Sequence, residues 1–567
     1  MAVETVKIIH NATNAKVVEP STALKMWFSD QLSYSVKGHE HMKGNSNWDG
    51  RSSFFQTSSG NFPAGFVRLI TKRLQRQGHR VIVRCVEPPL PIGPEHPKVD
   101  NYAADPRYSY QDDVVERLVA LKGMIAQVAT GGGKSRIFKL CSERIGRPTL
   151  FVTTRKSLMY QMAEDCEKHL KKPVGYMGDG KWSPKNKGIN FAIIDTLAQR
   201  LNVDSAEKIA ERIINKEVDN REAAIAAVLK KKNLNFDTSR ISKIPQDVCD
   251  EIAKVRKAGI ARFPIDKKAI KKKAKAKHDL SVKKRDELLK ILANVEFVCL
   301  EEAHEVSSDS YYAVMKACKN AHYRLALTAT PFMKDDEEAN MRLMAVTGPI
   351  GIRVTEKDLI DKGILAKPYF LYDTLDRPPK VYNSSEWPKA EKMGIVENQQ
   401  RNDKIVAHCV EAKQYSLPAM VLIQKVTHGK KLKSAMESAG LRVVFVSGKD
   451  DQAARASALK QLENGTVDVV IGSTIFDVGV DVPAVGLVVL AGGGKAEVSL
   501  RQRIGRGLRA KKVGANVCFI VDFRDGYNKH LAKHAKQRRD IISDTPGFAE
   551  NVVESFDYAG FGMKKAA

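Results

Sequence analysis

The chain has 567 residues, 43% of them hydrophobic, and a formal net charge of +27. That length exceeds what one hydrophobic core serves, so three or more domains are expected. The basic balance points to a polyanionic partner, nucleic acid being the usual one. The eight cysteines form no CxxC pair and no zinc-ligand spacing with histidine, which argues against a disulfide framework or a zinc site. The first residues carry no signal-peptide core and no apolar run reaches membrane-spanning length, so a cytoplasmic protein without a membrane partner is expected.

Residues 1–85 read as a small α+β unit: "GFVRLITKRLQRQGH" (65–79) has a helical period and "RVIVRC" (80–85) alternates like a strand. The prolines of "VEPPLPIGPEHPKVD" (86–100) predict a semi-stiff linker. From about residue 101, apolar strands alternate with helices: "GMIAQVAT", "PTLFVTT", "NFAIIDT", "VEFVCLEEAH" and "YRLALTATP". Strands apolar on both faces and separated by helices predict a parallel sheet. A second such series begins near 418 with "PAMVLIQK" and runs to "NVCFIVD". A helical, very basic insertion interrupts the first series over about 202–292 and includes "KKAIKKKAKAKHDLSVKKRDELLK" (267–290). Lys271, Lys272 and Lys273 belong either to a solvated helix or to an arm that tracks phosphates.

"VATGGGKS" (128–135) follows a predicted strand and precedes a predicted helix, the setting of a phosphate-binding loop. Gly131, Gly132 and Gly133 let backbone N–H groups turn toward phosphates. Lys134 would reach the outer phosphates and Ser135 would ligate Mg²⁺. Val128 stands where the usual pattern opens with glycine. Gln111, at the start of a predicted helix, has an amide able to read an adenine edge, so ATP is the expected nucleotide. In "CLEEAHE" (299–305), Glu301 and Glu302 fall at the carboxyl end of a buried strand, the edge at which parallel sheets bind ligands. Glu301 would hold the Mg²⁺ water shell and Glu302 would polarise the attacking water. His304 would then face "TAT" (328–330), with Thr328 and Thr330, and couple the nucleotide site to the next domain.

Gln111, "ATGGGKS" from Thr130's neighbour onward, "EEAH", "TAT", "STIFDVGVDVP" (473–483) and "QRIGRGLR" (502–509) together resemble the superfamily 2 helicases over about residues 105–525. The resemblance implies that Thr130 joins the nucleotide loop, that Gly479 lies near the phosphates and that Asp481 contacts the ribose. It also implies that Arg506 and Arg509 act as arginine fingers, with Gln502 in the coupling set. By the same resemblance Thr154, Arg155, Gln161, Thr196 and Thr474 line the nucleic-acid strand. Glu301 departs from the family, which usually has Asp there.

"DLIDKGILAKP" (358–368), "RND" (401–403) and the leading "GNSNWDGRSSFF" with "FPAGFVRLI" are similar to UvsW-like phage helicases. Trp48 and Phe66 in that segment are expected to be core aromatics. The resemblance implies an α/β protein of two tandem RecA-like domains, 101–350 and 351–567, the second with a C-terminal helical tail. A small DNA-binding domain and linker (1–100) would precede them. The implied activity is an ATP- and Mg²⁺-dependent, 3′→5′ DNA helicase remodelling Holliday junctions, forks and R-loops; a monomer is expected. The alternatives are an RNA helicase, the motor of a restriction complex, and a catalytically silent nucleic-acid clamp.

Overall fold

The computed structural model describes residues 3–36, 48–99, 105–234, 245–302, 308–332, 336–472, 485–493, 504, 508, 511 and 515–565. The chain divides into two units, one of residues 1–193 with 295–567 and one of residues 194–294.

The leading part of the first unit carries β1 (Thr5–His10), β2 (Asn14–Val18), β3 (Ser33–Ser35), β4 (Arg51–Ser53), β5 (Asn61–Pro63) and β6 (Arg80–Cys85). Four of these form a sheet ordered β5-β2-β1-β6, and β3 pairs with β4. Alternation in β1 turns Val6 and Ile8 inward. The helix Val67–Arg76 buries Val67, Ile70 and Leu74 at helical spacing. Phe66 lies in this core, whereas Trp48 stays 39% exposed and donates its indole N–H to the Arg51 carbonyl. The α+β expectation for 1–85 matches what is seen.

The linker expectation is corrected. Residues 86–99 do not hold the leading domain at a distance but lie along the first large sheet domain. Ile92 N–H donates to the Ile145 carbonyl, Arg147 donates to the Leu90 carbonyl at 2.8 Å, and Tyr323 Oη donates to the Pro89 carbonyl at 2.8 Å. Gly93 is pressed so close that a methyl group there would sit 1.8 Å from the Glu143 carbonyl oxygen. The leading domain is itself seated: Met341 and Ala345 of the helix Glu337–Thr347 complete its core, and Arg68 donates to the Pro349 carbonyl.

The first large sheet contains β7 (Gly123–Val128), β8 (Thr149–Thr153), β9 (Val174–Gly178), β10 (Lys181–Ser183), β11 (Ile189–Ile193), β12 (Phe297–Glu301), β13 (Tyr323–Thr328) and β14 (Ile350–Val354). Its order is β10-β9-β11-β8-β12-β13-β7-β14, parallel except for β10 against β9. Every residue of β8, β11, β12 and β13 is buried, as strands covered on both faces require.

The second sheet contains β15 (Lys367–Thr374), β16 (Ala419–Leu422), β17 (Val443–Val446), β18 (Val469–Gly472), β19 (Leu487–Val489), β20 (Val517–Arg524) and β21 (Val552–Val553), ordered β17-β18-β16-β19-β20-β15-β21 and parallel throughout. The expected helical tail is only part of the C-terminal arrangement. After the helix Lys529–Ser543 the chain adds β21 to the sheet edge, then packs Phe556, Tyr558 and Phe561 around Phe519.

The second unit is the insertion, slightly longer than the expected 202–292. Beyond the short helix Ile194–Leu201 it holds Ala206–Lys231, Gln246–Arg262 and Lys267–Ala293. Ala210 packs with Ile270 and Ala274, and Ile225 and Leu229 pack with Val255. Lys271, Lys272 and Lys273 are exposed.

Candidate nucleotide site

Three neighbouring strands of the first sheet, β12, β13 and β7, end on one edge. The phosphate loop leaves β7, the acidic pair ends β12, and Thr328–Thr330 ends β13. Parallel pairing alone brings together motifs nearly 200 residues apart. Gln127 Nε2 donates to the Ala329 carbonyl at 3.3 Å, and Thr330 N–H donates to Thr328 Oγ1 at 3.2 Å.

The loop turns on two glycines in the left-handed region, Gly131 (φ 88°) and Gly133 (φ 73°). Gly133 caps the helix Lys134–Ile145, whose N-terminal amides favour an anion. Ser135 is exposed on the first turn, Gly131 is also exposed, and Thr130 is half-buried.

Glu301 and Glu302 are both buried, at 9% and 7% exposure. Glu302 takes a left-handed backbone (φ 50°), uncommon for a side chain of its size, and its N–H donates to the Leu327 carbonyl at 3.1 Å. The turn sends its carboxylate to Lys134, with Oε1 3.5 Å from Nζ. Tyr311 Oη donates to the Glu301 carbonyl at 3.3 Å. Behind the pair, burial first, and then Cys141 and Glu301, push the Cys299 thiol well above its ordinary value, so it remains protonated.

A hydroxyl on Ser135 and two carboxylates at one edge are hard oxygen donors, which suit Mg²⁺ arriving with phosphates rather than a closed protein cage. Among the described residues there is no group of three or more His, Cys, Asp or Glu able to hold a metal by itself.

Gln111 packs against the loop. It is 1% exposed; its Nε2 donates to the Gly132 carbonyl at 3.3 Å, and its Oε1 accepts from Arg136 at 2.5 Å. Tyr110 Oη also donates to the Gly132 carbonyl at 2.8 Å, and burial pushes its phenol up to about 12. Tyr110 and Arg136 thus brace the loop, a role the sequence reading missed. The only signal was adjacency, since each directly follows or precedes a residue already singled out.

Thr154 and Arg155 are half-buried at the end of β8, and Gln161 is exposed on the helix Lys156–Leu170. Thr196 is half-buried on the helix Ile194–Leu201 of the other unit. His304, Thr474, Gly479, Asp481, Gln502, Arg506 and Arg509 lie outside the described residues. No helix among the described residues is long and apolar enough to cross a membrane.

The family described as "Type III restriction enzyme, res subunit" matches residues 106–333, and "Helicase conserved C-terminal domain" matches residues 400–511. A helicase-named protein of Sulfolobus islandicus filamentous virus is 24% identical over 283 residues, 47% of this chain and 50% of that protein. The "DNA 3'-5' translocase XPB2" of Sulfurisphaera tokodaii is 27% identical over 257 residues, 39% of this chain and 57% of that protein. The "ATP-dependent DNA helicase uvsW" of Enterobacteria phage T4 is 25% identical over 228 residues, 39% of this chain and 45% of that protein. The chain therefore spans about half the length of these relatives.

Proposed function

Since the chain belongs to the superfamily 2 helicases and is UvsW-like among them, we propose that it is an ATP-driven, 3′→5′ DNA translocase acting on branched DNA. The observation that carries the nucleotide chemistry is the meeting of Lys134 with Glu302 at one sheet edge. The names of the phage and archaeal relatives support DNA and the 3′→5′ direction. The net charge of +27 supports a nucleic-acid partner.

In this reading Ser135 and Glu301 would hold Mg²⁺, which supplies charge neutralisation at the phosphate oxygens. Lys134 leaves Glu302 for the outer phosphates, drawn by their larger negative charge. Glu302, released from the lysine, orients the attacking water and accepts its proton. The helix N-terminus at Gly133 directs its amides at the phosphates. Arg506 and Arg509 reach the γ-phosphate from the second sheet domain. Thr154, Arg155, Gln161, Thr196 and Thr474 contact the tracked strand, and the exposed lysines of the insertion add phosphate contacts.

The test is a panel of tailed duplex, fork, Holliday junction and R-loop, with matched RNA duplexes, each with and without ATP. Preferential ATP-dependent remodelling of the branched DNAs is expected. Equal action on RNA, or none on junctions, overturns the substrate assignment. A restriction-complex motor is a second reading, favoured by the description of the family matched over 106–333. A nuclease or methyltransferase that co-purifies in stoichiometric amount would decide for it.

A further inference from the structure

The segment joining the two large sheets touches the nucleotide loop on one side and the second sheet domain on the other. It leaves β14, forms the helix Glu356–Asp361 with a capping box between Thr355 and Asp358, and turns into β15. The turn is tight, because the Ile364 and Leu365 N–H groups both donate to the Leu359 carbonyl. Leu359 and Leu365 are thereby directed to one place, and both are buried.

That place is the underside of the phosphate loop. A methyl group on Gly131 would come within 2.7 Å of Leu365 Cδ2, and one on Gly132 within 3.3 Å of Leu359 Cδ1. The two loop glycines therefore rest on the two leucines with no spare room. Packing this close does not deform continuously, so displacement of one partner displaces the other.

The other side of the segment is bound to a different part of the chain. Ala366 N–H donates to the Leu508 carbonyl at 2.6 Å, and Lys367 N–H donates to the Asn516 carbonyl at 2.8 Å. Asn516 Nδ2 donates to the Leu365 carbonyl at 3.2 Å while its Oδ1 accepts from the Lys511 N–H at 3.0 Å. Leu508 stands between Arg506 and Arg509 in sequence.

We propose that Leu365 is a positioning residue for ATP turnover: it transmits the seating of Leu508 and Asn516 to Gly131 of the phosphate loop. The inference rests on the nucleotide-motor reading above. It assigns a role to "DLIDKGILAKP" that neither phosphate contact nor strand contact explains. The loop would reach its turnover geometry only when the second sheet domain is seated, which is how a bound strand could raise the rate.

The readout is the ratio of ATP turnover with a tailed DNA duplex to turnover without it, measured with the KM for ATP in each case. Leu365→Ala should lower that ratio by about fivefold or more, the scale of an ordinary coupling between sites. It should also raise the KM, because the floor beneath Gly131 is lost. Leu365→Met, which conserves volume, should keep both values close to wild type. Asn516→Ala leaves the leucine in place, so it should lower the ratio while leaving the KM nearly unchanged. It carries the same test where Leu365→Ala is too unstable to purify.

Turnover that falls by the same factor with and without DNA, in either variant, marks a merely structural role and overturns the proposal. So does an unchanged ratio in both. A wild-type protein whose ATP turnover does not respond to DNA overturns the motor reading itself, and with it this inference; that result is seen before any variant is made.

Discussion

Lys134 Nζ lies 3.5 Å from Glu302 Oε1, with about a tenth of each side chain exposed. The cation expected to hold phosphate and the acid expected to activate water thus already share one site. Lys134→Ala should lower ATP turnover by about 100-fold or more, the effect of removing one preorganised charge-stabilising donor. Glu302→Gln should lower it by about 100-fold or more, because an amide cannot accept the water's proton. The two should differ in ATP affinity, measured by equilibrium titration: Glu302→Gln binds normally, and Lys134→Ala binds weakly. Turnover retained in both variants would remove the assignment.

Glu301→Asp should keep turnover within about tenfold of wild type, since a water-mediated metal contact absorbs the loss of one methylene. Steady-state hydrolysis at saturating Mg²⁺ checks this. Loss of activity here, with Glu302→Gln tolerated, would show that the two acids have exchanged roles.

The triple variant with Lys271, Lys272 and Lys273 all changed to Ala tests the insertion. All three lysines are exposed, so the fold should not change. Affinity for duplex DNA should fall for every sequence, and the slope of log K against log salt should flatten by about 0.9 for each lost phosphate contact. An unchanged slope would leave these lysines as a solvated helix face.

Arg401 and Asp525 form an ion pair at 2.6 Å with both side chains fully buried, and the guanidinium stacks over the Phe523 ring at 4.2 Å. Asp525→Asn should destabilise the protein by about 3–5 kcal/mol, because it leaves the buried Arg401 without its carboxylate; Arg401→Met should cost less, since Asp525 keeps Arg538 at 3.7 Å. Denaturant unfolding followed in the second sheet domain measures it. A loss under about 1 kcal/mol would mean that the site relaxes or admits water.

His428 gives a pH prediction. Burial, then Arg401 and Lys431, lower its pKa from the ordinary 6.5 to about 3. Its Nε2 lies 2.8 Å from Asn402 Oδ1, an acceptor, so that nitrogen carries the proton of the neutral ring. Between about 3 and 6.5 the unfolded chain binds a proton that the folded chain refuses, so stability falls as pH falls through that window. His428→Gln should flatten this acid limb by an amount on the order of a few kcal/mol across the window. Equal acid sensitivity in the variant would place the effect on other groups.

The sequence was most informative where chemistry and burial coincide. Strands such as Thr149–Thr153 and Phe297–Glu301 are buried on both faces, so unbroken apolar runs disclosed them, and the loop glycines and the acidic pair followed from what parallel strands present at their ends. Long-range partners were hidden. Nothing local says that Arg401 meets Asp525, or that Gln111 contacts Gly132 and Arg136. The left-handed backbone at Glu302 was equally hidden, because glutamate has no preference that announces it. Proline content at 86–99 did not disclose the surface on which that segment lies.

The seating of the leading domain changes how this protein can be taken apart. A fragment begun at residue 101 would keep both large sheets yet turn the buried Met341 and Ala345, with the partly buried Met344 and Tyr312, into water-facing surface. It would also remove the close contact of Gly93 with the Glu143 carbonyl. Such a fragment would self-associate through that apolar face, and its behaviour would report the wound as much as the motor. An exchange of the first hundred residues with a relative would have to carry the helix Glu337–Thr347 along with them, because Met341 and Ala345 complete their core.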